Sequence, residues 1–439
     1  MRLRVDFAAE RSGTAELAWG QRDVWGAIHA VGPGSAHYFN VPRLIAVPRA
    51  GGPRRPAAVA AALAEVVARH DALRSLVRLG ADGPYQEVTA TGTLSIELAE
   101  ATRDDTDDTD GDAAATIAAG LVARLAGRSF GDGEQPLRAG FVLAGDAVTH
   151  VAFVISHAVA DWRAADVVQR DLRLSLLRGR ITRPPPPQLL DLVREEKACP
   201  ARSERSIAQW EALLRTVPSA MFPAESWDGA TPRFARVMLS SPRLDRAARA
   251  LARRTGVSTS TVLLVAVTML LRELTGYERC AITPIVHNRF DDRTRDLVTS
   301  LDQLGLFTLG RCGTLPETLV TAYPAVLASY RRARYDSPAL HAMVGRVSAE
   351  RGVPMFPSCC FNDLRPGEDP GTADGPDGES RLDWLPGVDR RSCAFCMDLM
   401  RWNGTLGVAL SADTTRLPKA EMTALLLRLE SFVTDSARS

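Results

Sequence analysis

The stretch Val151-Ala-Phe-Val-Ile-Ser-His-Ala-Val-Ala-Asp-Trp162 gives the clearest indication of both fold and chemistry. Its five apolar residues, Val151–Ile155, predict a buried strand that runs directly into Ser156 and His157. Asp161 follows four residues after His157, where helical periodicity begins, and fits a helix cap. An imidazole at a strand end lies where packed scaffold meets an open cleft, and its ordinary pKa of about 6.5 lets it exchange a proton near neutral pH. His157 is therefore either a catalytic histidine or a structural one.

Helix and strand signals alternate on both sides of this stretch. Leu137–Leu143 and Val148–Ser156 predict a strand pair around Ala144-Gly145-Asp146, and Trp162–Leu177 predicts a helix. Asn403-Gly404 predicts the turn of a later hairpin. The pattern predicts an α/β (α+β) protein. Further helices are predicted at Pro56–Ala68, Ala113–Ala126, Leu189–Lys197, Ile207–Leu214, Pro242–Thr255, Thr259–Leu274 and Pro418–Val433, and further strands at Leu73–Leu79, Arg233–Leu239, Cys393–Leu399 and Leu406–Ala412.

A proline-rich segment divides the chain. Arg183-Pro-Pro-Pro-Pro187 predicts a stiff, extended connection. We therefore expect an N-terminal lobe over residues 1–182, a linker over 183–200 and a C-terminal lobe over 201–439.

Composition excludes several classes of protein. The 439 residues carry a net charge of +1, which does not favour nucleic-acid binding. The longest apolar run, Val262–Leu271, is shorter than the roughly 18 residues of a membrane span, and the N-terminus has no apolar signal core.

Seven cysteines, an odd number, fit a reducing compartment, so we expect a cytoplasmic protein. Cys393 and Cys396 have metal-site spacing but lie in a predicted strand, and we interpret them as structural.

Seven other segments form an ordered set of motifs. They are Trp19–Trp25, Tyr38–Pro42, Arg69–Ser75, Pro284–Arg289, Leu304–Thr308, Tyr335–Pro338 and Phe361-Asn362. With the His157 stretch, this set resembles the condensation domains of nonribosomal peptide synthetases, in the chloramphenicol-acetyltransferase-like superfamily, over about residues 15–435.

The resemblance is centred on the signature His-His-x-x-x-Asp-Gly. His157 matches its second, catalytic histidine and Asp161 matches its aspartate. Ser156 replaces the first histidine and Trp162 replaces the glycine. The resemblance implies two acetyltransferase-like lobes, arranged as a V-shaped pseudo-dimer with a central tunnel.

The resemblance also implies the reaction and its partners. An amine, or less often a hydroxyl, attacks a thioester carried on the phosphopantetheine of a carrier protein, and an amide or ester forms. The enzyme needs no bound cofactor and no metal. The sequence contains no adenylation or carrier motif, so we expect carrier proteins to act in trans and the acceptor to be a small amine or alcohol, without nucleic acid or membrane.

Each candidate residue then has an expected role. His157 acts as a general base or positions the nucleophile, and Asp161 is expected to pair with Arg289 across the lobes, supporting the loop. Ser156 supports the same loop by local hydrogen bonds. Trp162 either packs outward against the following helix or narrows the acceptor side, and Asn362 is either a substrate contact or a turn residue.

Two other functions stay open. The substitutions at Ser156 and Trp162 favour a non-catalytic recruitment module that keeps the fold and binds partner proteins. The other alternative is an acyltransferase that uses a coenzyme A thioester.

Overall fold

The computed structural model describes residues 1–49, 52–81, 83–101, 110–222, 229–356, 359–365 and 378–438. All structural statements below refer to these residues.

The first part of the chain alternates short strands with helices. In order, its elements are β1 Arg2–Ala8, β2 Gly13–Glu16, α1 Trp19–Val31, β3 Val41–Ala46, α2 Pro56–Arg69, β4 Ser75–Gly80, β5 Gly83–Val88, β6 Thr91–Glu100, α3 Asp110–Ala126, β7 Leu137–Ala144, β8 Ala147–Ile155, α4 Trp162–Arg178 and α5 Leu189–Ala198. Two 3-10 turns, Ala36–Phe39 and Asp71–Arg74, precede β3 and β4.

The rest of the chain continues this pattern. Its elements are α6 Pro200–Leu214, β9 Phe234–Ser240, α7 Pro242–Thr255, α8 Thr259–Thr275, β10 Cys280–Val286, α9 Asp292–Arg295, β11 Gln303–Leu304, β12 Phe307–Leu309, α10 Leu315–Arg331, α11 Ser337–Arg351, β13 Cys359–Asp363, β14 Arg381–Val388, β15 Phe395–Trp402, β16 Thr405–Asp413 and α12 Lys419–Arg438. The predicted mixed class of helices and strands is confirmed.

Contacts between residues group the chain into two units. The first comprises Met1–Pro200 and His287–Asp302, and the second comprises Ala201–Val286 and Gln303–Ser439. This grouping differs from the predicted lobes in two places. Residues 183–200 belong to the first unit because the helix α5 buries Leu189 and Val193 in its core. Residues 287–302 also belong there because Leu297, Val298 and Leu301 enter that core.

The first unit is built on a sheet with both faces covered. Among the described residues, five strands form the order β1-β6-β7-β8-β3, and β2, β5 and β4 form a second, three-stranded sheet. On β8, Val151, Phe153 and Ile155 pack in the core that includes α2 and α4, whereas Ala152 and Val154 pack against α3. Side chains of a strand alternate between faces, so a strand covered on both sides is apolar throughout. This explains the unbroken apolar run before Ser156.

The second unit has the larger sheet. Within the described ranges it contains eight strands, in the order β11-β10-β13-β15-β16-β9-β14, with β12 paired to β10. Helix α8 is buried over Val262–Leu271 and packs with α7, α10 and α12. The predicted hairpin turn is present between β15 and β16, where Asn403 and Gly404 have φ angles of 50° and 79°. Asparagine and glycine are the residues that adopt this left-handed backbone most readily.

Within the described segments, no single helix has the length and apolar character needed to cross a membrane. Helices α7 and α8 meet that test only as a pair, and the chain bends by 104° between them.

Two cysteines of the second unit are paired. Cys360, in β13, and Cys393, just before β15, form a disulfide with a Cα–Cα distance of 6.5 Å. Strand β15 begins at Phe395, so Cys393 lies outside the strand predicted for it. The odd cysteine count gave no indication of this pair, because β13 and β15 become neighbours only in the folded sheet.

Candidate active site

The candidate histidine lies in a tight turn after β8. The Ser156 amide donates to the carbonyl of Pro136 at 2.9 Å, and the Ser156 carbonyl accepts from Val159 and Ala160 at 3.0 and 3.2 Å. The backbone of Ser156 therefore makes these bonds of the turn, whereas the expected local hydrogen bonds were those of its side chain. The role of Ser156 as support for the site stays a prediction.

The hydrogen bonds of the partly buried His157 ring define which nitrogen carries its proton. Nδ1 lies 3.1 Å from the carbonyl oxygen of Ala160 and 3.5 Å from Oγ of Ser300. A carbonyl oxygen can only accept, so Nδ1 carries the proton and Nε2 keeps its lone pair. The Ser300 hydroxyl donates to the His157 carbonyl and so leaves its own oxygen to accept from the ring.

Burial lowers the pKa of His157 below its ordinary value of 6.5, although the negative charge of Asp161 and the bond to Ala160 oppose this effect. The ring is therefore neutral at neutral pH. A neutral imidazole whose Nε2 is unprotonated can accept a proton from a nucleophile.

Asp161 combines two roles that sequence reasoning treated separately. It caps α4, since Oδ1 accepts from the Ala164 amide at 2.8 Å. Its Oδ2 accepts from Nη1 of Arg289 at 2.6 Å and from the Leu301 amide at 2.8 Å. Asp161 is 0% exposed and the Arg289 side chain 4%, so this is a buried ion pair.

Arg289 makes hydrogen bonds within the segment 287–302 and an ion pair with Asp161, at the end of the turn that carries His157. Its Nη1 donates to the His287 carbonyl at 3.1 Å, and its Nη2 donates to the carbonyls of Leu297 and Thr299 at 3.2 and 2.9 Å. The ion pair with Asp161 that the resemblance implied is present. The two residues belong to one contact unit, however, and not to separate lobes, because residues 287–302 group with the first unit.

Trp162 lies on the first turn of α4 with 38% of its surface exposed. The guanidinium of Arg43 stacks over the indole at 4.4 Å, and Arg43 also donates to the Trp162 carbonyl at 2.6 Å and to Asp166 at 2.9 Å. Trp162 thus has a cation–π partner on β3 and not on the following helix. Whether the indole packs outward or narrows the acceptor side stays a prediction.

Asn362 belongs to the second unit. It lies in β13, partly buried, and its Nδ2 donates to Oδ1 of Asp398 at 3.2 Å on the neighbouring strand β15. Asn362 therefore lies in a strand and not in a turn, which was one of its two expected roles. The other role, a contact with substrate, stays a prediction.

Sequence reasoning missed three side chains of this site. Ser300 contacts His157, Arg43 stacks on Trp162, and Asp302 lies beside Asp161. Ser300 and Asp302 are about 140 residues away from these partners along the chain, and neither belongs to a recognisable motif.

Comparisons with known proteins identify the family of this chain. The condensation-domain family matches residues 17–308. The chondramide synthase of Chondromyces crocatus is 29% identical over 280 residues, which is 61% of this chain but only 7% of that protein.

Two solved structures show the same fold. A condensation domain that mediates chain release from the enacyloxin polyketide synthase has a TM-score of 0.75 at 19% identity, covering 96% of this chain and 83% of the other. The SgcC5 protein of Streptomyces globisporus has a TM-score of 0.71 at 17% identity, covering 97% and 99%.

Proposed function

Since this chain belongs to the condensation-domain family, we propose that it joins a carrier-bound acyl thioester to an amine or hydroxyl acceptor, with His157 as the central catalytic residue. The observation that carries the proposal is the hydrogen bond from Nδ1 of His157 to the Ala160 carbonyl, which leaves Nε2 unprotonated in the neutral ring.

The proposed reaction needs little from the protein besides proton handling and positioning. The nitrogen or oxygen of the acceptor attacks the thioester carbon, a tetrahedral intermediate forms, and the carbon–sulfur bond breaks. Nε2 of His157 accepts the proton that the nucleophile loses and returns it to the departing thiolate. General-base assistance of this kind contributes typically about 10²–10⁴-fold.

Alternatively, the same nitrogen accepts a hydrogen bond from the acceptor and positions it for attack. In both cases the ring must keep its orientation. The bonds of Ser300 to the ring and to the His157 backbone, together with the Asp161–Arg289 pair, support that orientation.

A recruitment module without catalysis is the second candidate. Ser156 and Trp162 occupy positions where the signature has histidine and glycine, which favours this candidate. Trp162 is also an exposed aromatic residue of the kind that binds partner proteins.

One assay separates these functions. Carrier proteins loaded with acyl groups, and in parallel acyl coenzyme A, are incubated with an amine acceptor and either the wild type or His157→Ala. Intact-mass analysis follows loss of the acyl group and formation of product. We expect turnover from the carrier with the wild type and a loss of about 10²–10⁴-fold with the variant. Carrier binding without turnover in the wild type would support recruitment, and turnover of coenzyme A thioesters alone would exclude the carrier-dependent reaction.

A further inference from the structure

An open cleft in the second unit is lined by an unusual number of arginines. The cleft has a volume of about 650 Å³, and all of its lining residues belong to the second unit. The charged side chains that the described residues place around it are one glutamate, Glu278, and the four arginines Arg272, Arg279, Arg311 and Arg351. The cleft is therefore strongly positive.

The pairing of β10 with β12 brings two of these arginines together. Cys280 pairs with Leu309 in antiparallel register, so Arg279 and Arg311 follow at the same end of the strand pair. The Arg279 guanidinium lies beside Gly310, where its Nη2 would be 3.8 Å from a side-chain carbon at that position. Both arginines are exposed, so their donors are accessible to a ligand in the cleft.

Nearby carboxylates do not neutralise this charge. Glu273 and Glu350 each adjoin a cleft arginine in the sequence, but they pair with arginines that do not line the cleft. Glu273 accepts from Arg428 at 2.6 Å, and Glu350 accepts from Arg215 at 3.0 Å. In the described part of the chain, none of the four cleft arginines forms an ion pair.

Two of the cleft arginines are oriented by neutral partners. Arg272 Nε donates to the Glu278 carbonyl at 3.2 Å, and Arg351 Nη1 donates to the carbonyls of Leu214 and Val217, both at 2.7 Å. These bonds hold the guanidiniums in place without cancelling their charge. A guanidinium has five N–H donors, so each arginine keeps donors for a ligand.

The chemistry of the cleft identifies a class of ligand. Arginine is the side chain that best matches phosphate and carboxylate oxygens. A phosphate group carries about −1.5 to −2 charge at pH 7 and presents three oxygens, whereas a carboxylate has one charge and two oxygens. Several arginines around one cleft therefore favour phosphate. Sites for small molecules have volumes of about 300–1,000 Å³, which matches this cleft better than the convex surface of a protein would.

We propose that the cleft binds a small phosphorylated molecule, with its phosphate groups on the arginines and its organic part against Pro218 and Tyr277. Such binding would be a second activity of the chain. It does not depend on the condensation reaction proposed above and needs no catalytic turnover to be observed.

Calorimetric titration of the full chain at low ionic strength, without divalent metal, tests this binding. The probes are inorganic pyrophosphate, adenosine diphosphate, adenosine and an oligoglutamate peptide. We expect both phosphate compounds to bind, more weakly as salt is added, and adenosine not to bind. If neither phosphate compound binds, or if only the acidic peptide binds, the cleft is not a phosphate site.

Variants of the exposed cleft residues show whether the phosphate binds there. Arg279→Gln and Arg311→Gln should each weaken binding about tenfold, because each removes a charged hydrogen-bond donor. Glu278→Gln should strengthen binding, because it removes a negative charge from the cleft. Thermal unfolding should show that all three variants remain folded.

The matched control is Arg381→Gln. Arg381 is an exposed arginine of β14, at the opposite end of the strand order from β10 and β11, and it lies 3.9 Å from Asp383. The control should bind pyrophosphate as the wild type does. Equal affinities in the control and in the two cleft arginine variants, or weaker binding in Glu278→Gln, would overturn the assignment of the phosphate to this cleft.

Discussion

Two loops of this protein each place a histidine directly after a strand, yet they prepare the two rings for different chemistry. After β8, Nδ1 of His157 lies 3.1 Å from the Ala160 carbonyl and must carry the proton. After β10, Nδ1 of His287 accepts from the Arg289 amide at 3.0 Å, so a neutral His287 carries its proton on Nε2. The backbone partner of Nδ1 thus decides which histidine has a basic Nε2, and sequence position alone does not.

The two loops also differ in how deeply their acidic residues are buried. Substitution of the buried one should cause the largest loss of unfolding free energy. Asp161 is fully buried and paired with Arg289, so Asp161→Ala leaves an uncompensated buried arginine and should cost about 3–5 kcal/mol of unfolding free energy. The matched control is Asp296→Ala, since Asp296 is 34% exposed and its pair with Arg170 contributes about 0–1 kcal/mol. Denaturant unfolding of both variants measures this. Equal losses would show that the Asp161–Arg289 pair does not hold the loop.

The pH dependence of the reaction separates the two histidines. The pKa of His157 is lowered below 6.5, so kcat/KM should stay level as pH falls from neutral and then decline about tenfold per pH unit below that lowered pKa. Burial lowers the pKa of His287 to about 4, and this ring has no part in the proposed proton transfer. The acid limb should therefore remain in place in His287→Gln. If kcat/KM of the wild type already declined above pH 6.5, the limb would not belong to His157. A decline that shifts in His287→Gln would also contradict its assignment to His157.

The smallest expected loss of stability follows from substitution of the exposed aromatic residue in each loop. Trp162→Ala removes the stacking with Arg43 and should cost about 0.5–1 kcal/mol of stability. Phe290 is 61% exposed, and Phe290→Ala should cost less. Thermal unfolding measures both losses, and acceptor KM shows whether Trp162 lies at the substrate. An unchanged KM is expected for outward packing, and a clear change would favour the alternative in which Trp162 narrows the acceptor side.

Sequence reasoning succeeded where local chemistry determines the structure. The apolar run before Ser156 forms β8, Asp161 caps α4, and Asn403-Gly404 forms a hairpin turn. Each feature depends on residues only a few positions apart. Arg289 was found through the resemblance and not through spacing.

The features that were missed depend on long-range packing. Ser300 and Asp302 reach the His157 loop because Leu297, Val298 and Leu301 enter the core of the first unit. That packing assigns residues 287–302 to the first unit, and no composition change in the sequence marks it. The Cys360–Cys393 pair likewise depends on the parallel pairing of β13 with β15.

The ring nitrogens of His157 provide the most direct test of the central claim. In ¹⁵N NMR spectra of the wild type at neutral pH, the signals that disappear in His157→Gln belong to this ring. We predict a protonated Nδ1 and an unprotonated Nε2. A proton on Nε2, or on both nitrogens, would mean that His157 cannot accept a proton from the acceptor and would contradict the proposed mechanism.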